Sequence, residues 1–217
     1  MTTRPPTSNP SPYFLSNRLG RIIMLSAEES FGRTALKAIL NLAGMPYLIN
    51  NYPPNNLDRR FNFDELSQLL RALETMYGPS GSRSLSLRMG QAVFRNGLKE
   101  LGTALGTADL AFRLLPLSLK LRLGLESITT VLNEYSDAEA SLEETVEEFI
   151  LTTARCAICW QRQAARPIGF MMVGTLQEGL YWVSGGRSYD VEETSCIATG
   201  QPVCHYRIIK RALNDIP

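Results

Sequence analysis

Apolar residues recur at helical spacing through the first 135 positions and give way to β-branched runs beyond about residue 140. The switch predicts an α+β chain with a helical part over 20–135 and a sheet part over 141–211. Ser26 with Glu29 three residues on has the form of a capping box, and Phe31, Ala35, Ala38, Ile39 and Leu42 share a face behind it until Gly44 and Pro46. Asn62 with Glu65 opens a second helix through Leu66, Leu69, Leu70, Leu73 and Met76 to Gly78-Pro79. Pro53-Pro54 make the stretch 50–56 between them a loop.

A third helix over 84–101 carries Gly90, Val93, Phe94, Gly97 and Leu101 along one stripe. An interior glycine costs about 1 kcal/mol against alanine, so the stripe implies the close approach of another backbone or of a ligand. The Leu-rich stretch 109–132, interrupted by Pro116 and Gly124, reads as two short helices. It is either a core pair with snorkelling Arg113, Lys120 and Arg122, or an amphipathic surface. A polar linker over 136–141 leads into a strand over 145–154. Residues 168–183 repeat Met171, Met172, Leu176, Leu180 and Val183 on a helical face, and strands over 188–196 and 203–209 flank a turn at Gly200.

With 217 residues, 44% of them apolar, the chain can bury one substantial core, and its net charge of +1 supplies no basic field for nucleic acid. No apolar run reaches the ~20 residues of a membrane span, and the longest candidate, 114–125, is broken by Pro116, Lys120, Arg122 and Gly124. The opening residues MTTRPPTSNPSPYF lack an apolar leader core and read as a disordered tail over 1–14, ahead of a single domain over 15–212. The protein is therefore expected in the cytoplasm, where thiols stay reduced and paired cysteines favour metal over disulfide.

The four cysteines fall in two pairs, Cys156 and Cys159 as C-x2-C, then Cys196 and Cys204 as C-x7-C. A hairpin tipped at Gly200 sets Cys196 opposite Cys204, with β-carbons on the order of 5 Å apart. The C-x2-C brought over them completes a tetrahedral zinc site, although Pro202 offers no N–H to a regular ladder. Glu193 is an alternative ligand, since a carboxylate takes a zinc position as readily as a thiolate. A redox C-x2-C or four buried free thiols are the other readings. His205, the single histidine, falls on the opposite strand face and is set aside as a ligand and as an acid–base group. No catalytic residue is assigned, and no GxGxxG or Walker loop marks a redox or nucleotide cofactor.

The segments Arg155-Cys156-Ala157-Ile158-Cys159-Trp160, Trp182 to Arg187, and Val191 through Glu193, Cys196, Gly200 and Cys204 to Ile208 together resemble the C-terminal signature of the 4-vinyl reductase domain family. That family is related to the sensing domains of phenol- and xylene-responsive activators and to vesicle-trafficking subunits. The resemblance covers residues 145–210 specifically. It implies a twisted antiparallel sheet packed against a helical layer, of the nitric-oxide-signalling and Golgi-transport ligand-binding type, with a hydrophobic chamber and often a homodimer. In the phenol sensors a Cys followed by Trp, then Glu-x2-Cys-x7-Cys, holds the metal; the matching positions here are Cys159, Glu193, Cys196 and Cys204, with a longer interval between the first two. Cys156 is then an extra thiol, and either it or Glu193 completes the shell. The function implied is binding of a tetrapyrrole, aromatic or hydrocarbon molecule as carrier or sensor. The alternatives are an accessory role in vinyl-group reduction during bacteriochlorophyll synthesis, and an assembly subunit without ligand.

Overall fold

The computed structural model describes residues 11–101 and 114–213. Strands β1 (Phe14–Ser16) and β2 (Arg59–Asn62) form a small antiparallel ribbon. Helices α1 (Asn17–Phe31), α2 (Arg33–Leu42), α3 (Phe63–Leu101), α4 (Leu117–Tyr135) and α5 (Phe170–Val183) make the helical layer. Strands β3 (Ala140–Glu144), β4 (Glu148–Thr153), β5 (Tyr189–Ser195) and β6 (Cys204–Ala212) form an antiparallel sheet in the order β3-β4-β6-β5. The α+β architecture is the one expected, and among the described residues no helix is long and apolar enough to cross a membrane.

The first helix is capped ten residues before the expected cap at Ser26. Ser16 caps α1 by accepting from the Leu19 N–H at 3.2 Å. Ser26 lies inside the helix and donates to the Ile22 carbonyl at 2.7 Å. The apparent single helix is divided at Gly32, whose φ of 81° starts α2 afresh. At Asn62 the expectation holds: its Oδ1 accepts from the Asp64 N–H at 2.8 Å while Glu65 accepts from the Asn62 N–H at 2.6 Å, a reciprocal capping box. α3 kinks at Gly78, φ 68°, and resumes from Pro79, earlier than residue 84.

Other expectations change. In the Leu-rich stretch the chain breaks at Pro116 as expected, α4 starts behind it and runs unbroken through Gly124, and 109–113 fall outside the described residues. The polar linker contains the start of β3, an exposed edge strand with little apolar alternation to betray it. The strand expected over 145–154 is a turn followed by β4, and β6 runs to Ala212. Residues 11–14, assigned by composition to the disordered tail, are docked: the Ser11 N–H donates to Asp64 at 2.9 Å, its carbonyl accepts from Asn62 at 2.8 Å, and Tyr13 packs edge-on against Trp160.

The sheet buries the face built from Phe149, Leu151 and Thr153 of β4, Cys204, Tyr206 and Ile208 of β6, and Tyr189, Val191 and Glu193 of β5. Of the stripe glycines, Gly90 is where α5 crosses α3 backbone to backbone, whereas a Cβ on Gly97 would meet nothing within 4 Å. A Cβ on Gly90 would fall 1.9 Å from the Met171 carbonyl oxygen, and one on Gly174 would fall 2.1 Å from that of Leu87. Fully buried side chains such as Leu176 and Phe149 each contribute roughly 1.5–3 kcal/mol by leaving water.

Candidate metal centre and the cavity beside it

Three chain segments bring the ligand atoms together. Cys156 and Cys159 occupy a tight turn closed by the Cys159 N–H donating to the Cys156 carbonyl at 3.2 Å. That turn is fastened to α3: Ser67 donates to the Trp160 carbonyl, Arg71 to that of Gln161 at 2.7 Å, and Arg162 pairs with Glu74 at 2.7 Å. Cys196 follows β5 at the head of a 3-10 turn (Ile197–Thr199) ended by Gly200 at φ 89°, and Cys204 opens β6.

A strict two-residue alternation would aim Glu193 and Cys196 at opposite faces. The pairing shifts between Glu193↔Tyr206 and Ser195↔His205, so one extra β5 residue is accommodated there. This bulge turns both Glu193 and Cys196 into the core. The carboxylate and the sulfurs of Cys159, Cys196 and Cys204 consequently all lie within 4.8 Å of one another, and all four residues are buried.

The sulfur of Cys159 lies 3.4 Å from that of Cys196 and 3.7 Å from that of Cys204. A tetrahedral ion with bonds of about 2.3 Å separates its thiolates by roughly 3.8 Å, so the sulfurs already stand close to the edge length of such a shell. The Ile197 N–H donates to the Cys204 sulfur at 3.3 Å. Glu193 accepts from the Gly169 N–H at 2.6 Å through Oε2, whereas its Oε1 is buried without a hydrogen-bond partner. Only glycine fits at 169, because a Cβ there would lie 2.5 Å from the Tyr206 hydroxyl and 2.7 Å from Glu193 Oε1. This is a buried Cys3Glu group able to hold a metal ion.

Burial, then the neighbouring Cys196 sulfur, pushes the Glu193 carboxyl up to about 8 against the opposing Gly169 N–H. Hydrogen bonds from Cys159 and then Cys204 pull Cys156 and Cys196 below the ordinary thiol range, and Cys159 and Cys204 are pushed up in return. A cation bound here would displace the thiol protons of the cluster. Of the expected ligands, Cys156 touches the Cys159 and Cys204 sulfurs but is not among the four whose ligand atoms converge. His205 alternates with the core-facing residues of β6 and is not part of the cluster.

Beside the cluster lies a cavity of about 140 Å³. Leu19 and Ile22 of α1, Phe94 of α3, Ile128 and Val131 of α4, Trp182 of α5, and the segment from Thr153 to Ile158 line it. Met171 and Met172 of α5 line it too. Cys156 borders both cavity and sulfur cluster. The lining could not be read from the sequence because it is drawn from helices and turns spread over most of the chain.

No protein-family model matches the sequence, and no curated protein matches it. Among solved structures the fold is similar to that of an H-NOX protein from S. oneidensis in the Fe(II)NO ligation state, with a TM-score of 0.53 and 13% identity over 88% of this chain and 98% of that one. It is similar to a structure concerned with haem redox potential and porphyrin distortion, with a TM-score of 0.53 and 12% identity over 90% and 99%. It is also similar to the phenol-responsive sensory domain of the transcription activator PoxR with phenol, with a TM-score of 0.51 and 16% identity over 73% and 79%. At these identities the likeness is one of fold.

Proposed function

We propose that this chain is a ligand-binding domain whose apolar cavity takes up a molecule on the scale of one aromatic ring, as sensor or carrier, while a structural zinc secures the sheet beside it. The observation that carries this reading is the cavity of about 140 Å³, built from apolar side chains of four helices. An apolar cavity of about 150 Å³ stays dry and accepts benzene, so this one matches a small aromatic or hydrocarbon ligand. The phenol bound by the PoxR domain is of that size.

Haem, the group named for one structural neighbour, does not fit here. Pockets for larger ligands run to about 300–1,000 Å³. The cavity lining among the described residues contains no histidine, and the chain's single His205 sits in β6. The same volume argument disfavours a tetrapyrrole, and with it the accessory role in vinyl-group reduction that the sequence resemblance implied. An unfilled apolar space of this size likewise favours ligand binding over a filled assembly subunit.

Cys159, Glu193, Cys196 and Cys204 supply the donor set for zinc, three soft thiolates and one carboxylate in a closed shell. The partnerless Glu193 Oε1 supports this, since a cation satisfies the buried oxygen that no protein donor reaches. The ion joins the turn after β4 to β5 and β6, so its binding energy becomes folding energy. Native mass spectrometry of freshly purified chain is the test: one zinc and a small apolar adduct are expected. A protein that retains no adduct and binds neither toluene nor phenol on titration overturns the reading.

A further inference from the structure

Four of the residues lining the cavity bear hydroxyls, and three of those hydroxyls are already committed to the backbone. Ser127 donates to the Leu123 carbonyl at 2.8 Å, Ser136 to that of Leu132 at 2.5 Å, and Thr175 to that of Met171 at 2.9 Å. The guanidinium of Arg155, also at the lining, pairs with Glu139 at 2.5 Å and lies over the Tyr13 ring. Thr153 is different: the residue is 2% exposed and its Oγ1 is buried with no hydrogen-bond partner.

The position of Thr153 explains both facts. It is the last residue of β4, on the core-facing side of the alternation Phe149, Leu151, Thr153, and it stands across the ladder from Cys204. Its backbone is taken up by β3 and β6, so the hydroxyl has no local carbonyl of the kind a helical serine finds four residues back. A trapped water is a poor partner there, because a buried water needs two to four polar contacts and the other hydroxyls of this wall are spent.

We propose that Thr153 is the specificity-determining residue of the cavity, its hydroxyl hydrogen-bonding a single polar group, a hydroxyl or a carbonyl, on an otherwise apolar ligand. This rests on the cavity reading given above and adds to it an orientation, with the polar end of the ligand beside the Thr153–Cys156 turn and the apolar body among the helices. A threonine hydroxyl donates and accepts, so it serves either group. A purely apolar ligand leaves it unpaired, and the polar one is favoured by the difference.

The test uses the full chain, freed of retained small molecules, titrated calorimetrically with phenol and with toluene. Thr153→Val keeps the shape and removes the hydroxyl, and Thr153→Ser keeps the hydroxyl. Thr153→Val is expected to lower the phenol-to-toluene affinity ratio about tenfold, the size of one net hydrogen bond, with toluene affinity kept, and Thr153→Ser to preserve the ratio. Thr153→Val should melt no lower than the parent, since it removes a polar atom that nothing satisfies. If it does not fold, Thr153→Ala supplies the same comparison. Binding of both probes with a ratio indifferent to the hydroxyl overturns the assignment of Thr153 alone. Binding of neither probe by the parent chain overturns the cavity reading and this one with it.

Discussion

Replacing Gly90 with alanine tests the closest contact in the fold. The added Cβ would lie 1.9 Å from the Met171 carbonyl oxygen and 2.8 Å from the Thr175 amide nitrogen, where real Cβ contacts essentially never fall below 3.0 Å. The obstacle is helix backbone, so α3 and α5 must part by about 1 Å or more, and Gly174, itself pressed on the Leu87 carbonyl, offers no slack. A gap of that size forfeits a quarter to a half of the dispersion energy of each contact across it. Overpacking costs about 1–3 kcal/mol, and a rigid obstacle places Gly90→Ala at the upper end. Alanine's better helix propensity returns about 1 kcal/mol, leaving a net loss of about 2 kcal/mol. For a chain of this size that is a fall of about 4–8 °C in melting temperature, read by circular dichroism. The parting helices also carry the cavity wall, so toluene affinity should fall in parallel. A variant that melts at or above the parent temperature refutes the backbone-to-backbone crossing.

The metal assignment separates the five candidate ligands. Cys196→Ser and Cys204→Ser should each lose zinc and melt well below the parent, whereas Cys156→Ser should keep one zinc per chain by elemental analysis; loss of zinc in Cys156→Ser with retention in Glu193→Gln would exchange their roles. In chelator-treated, metal-free protein Glu193 should make stability fall with rising pH. Its folded-state value of about 8 lies above the ordinary 4.5, so the unfolded chain ionises first, and the contribution present below about pH 4.5 is lost by pH 8. Glu193→Gln should flatten that slope in denaturant titrations, and an unchanged slope would show the carboxyl to be ionised in the fold. Removing residues 1–12 takes away the bonds of Ser11 to Asp64 and Asn62 at the start of α3, and a fall of a few degrees in melting temperature is expected. A truncation that melts with the parent would mean that these bonds contribute nothing net.

Features settled within a few residues were legible from the residues alone. The Asn62–Glu65 box, the stop at Gly78-Pro79 and the face of α5 each depend on contacts one helical turn apart. The gathering of Cys196 and Cys204 across a turn was legible for the same reason, because the Ser195↔His205 pairing lies one residue away. The start of α1 was not: Ser26 and Glu29 spell a capping box, but a cap needs non-helical backbone, and it is Ser16, leading out of β1 in its pairing with β2, that has it. Strand β3 escaped notice because an exposed edge carries little hydrophobic alternation.

The glycine stripe announced a close neighbour without naming it, and only the crossing of α3 by α5 identified that neighbour as the Met171 carbonyl. Tertiary structure alone also decided that a bulge in β5 swings Glu193 in beside three sulfurs, and that a cavity opens beside Thr153. Sequence spacing reports which residues share a face of one element. Which faces meet, and what space is left between them, depends on residues far apart in the chain, such as Gly90 and Met171, packing against one another.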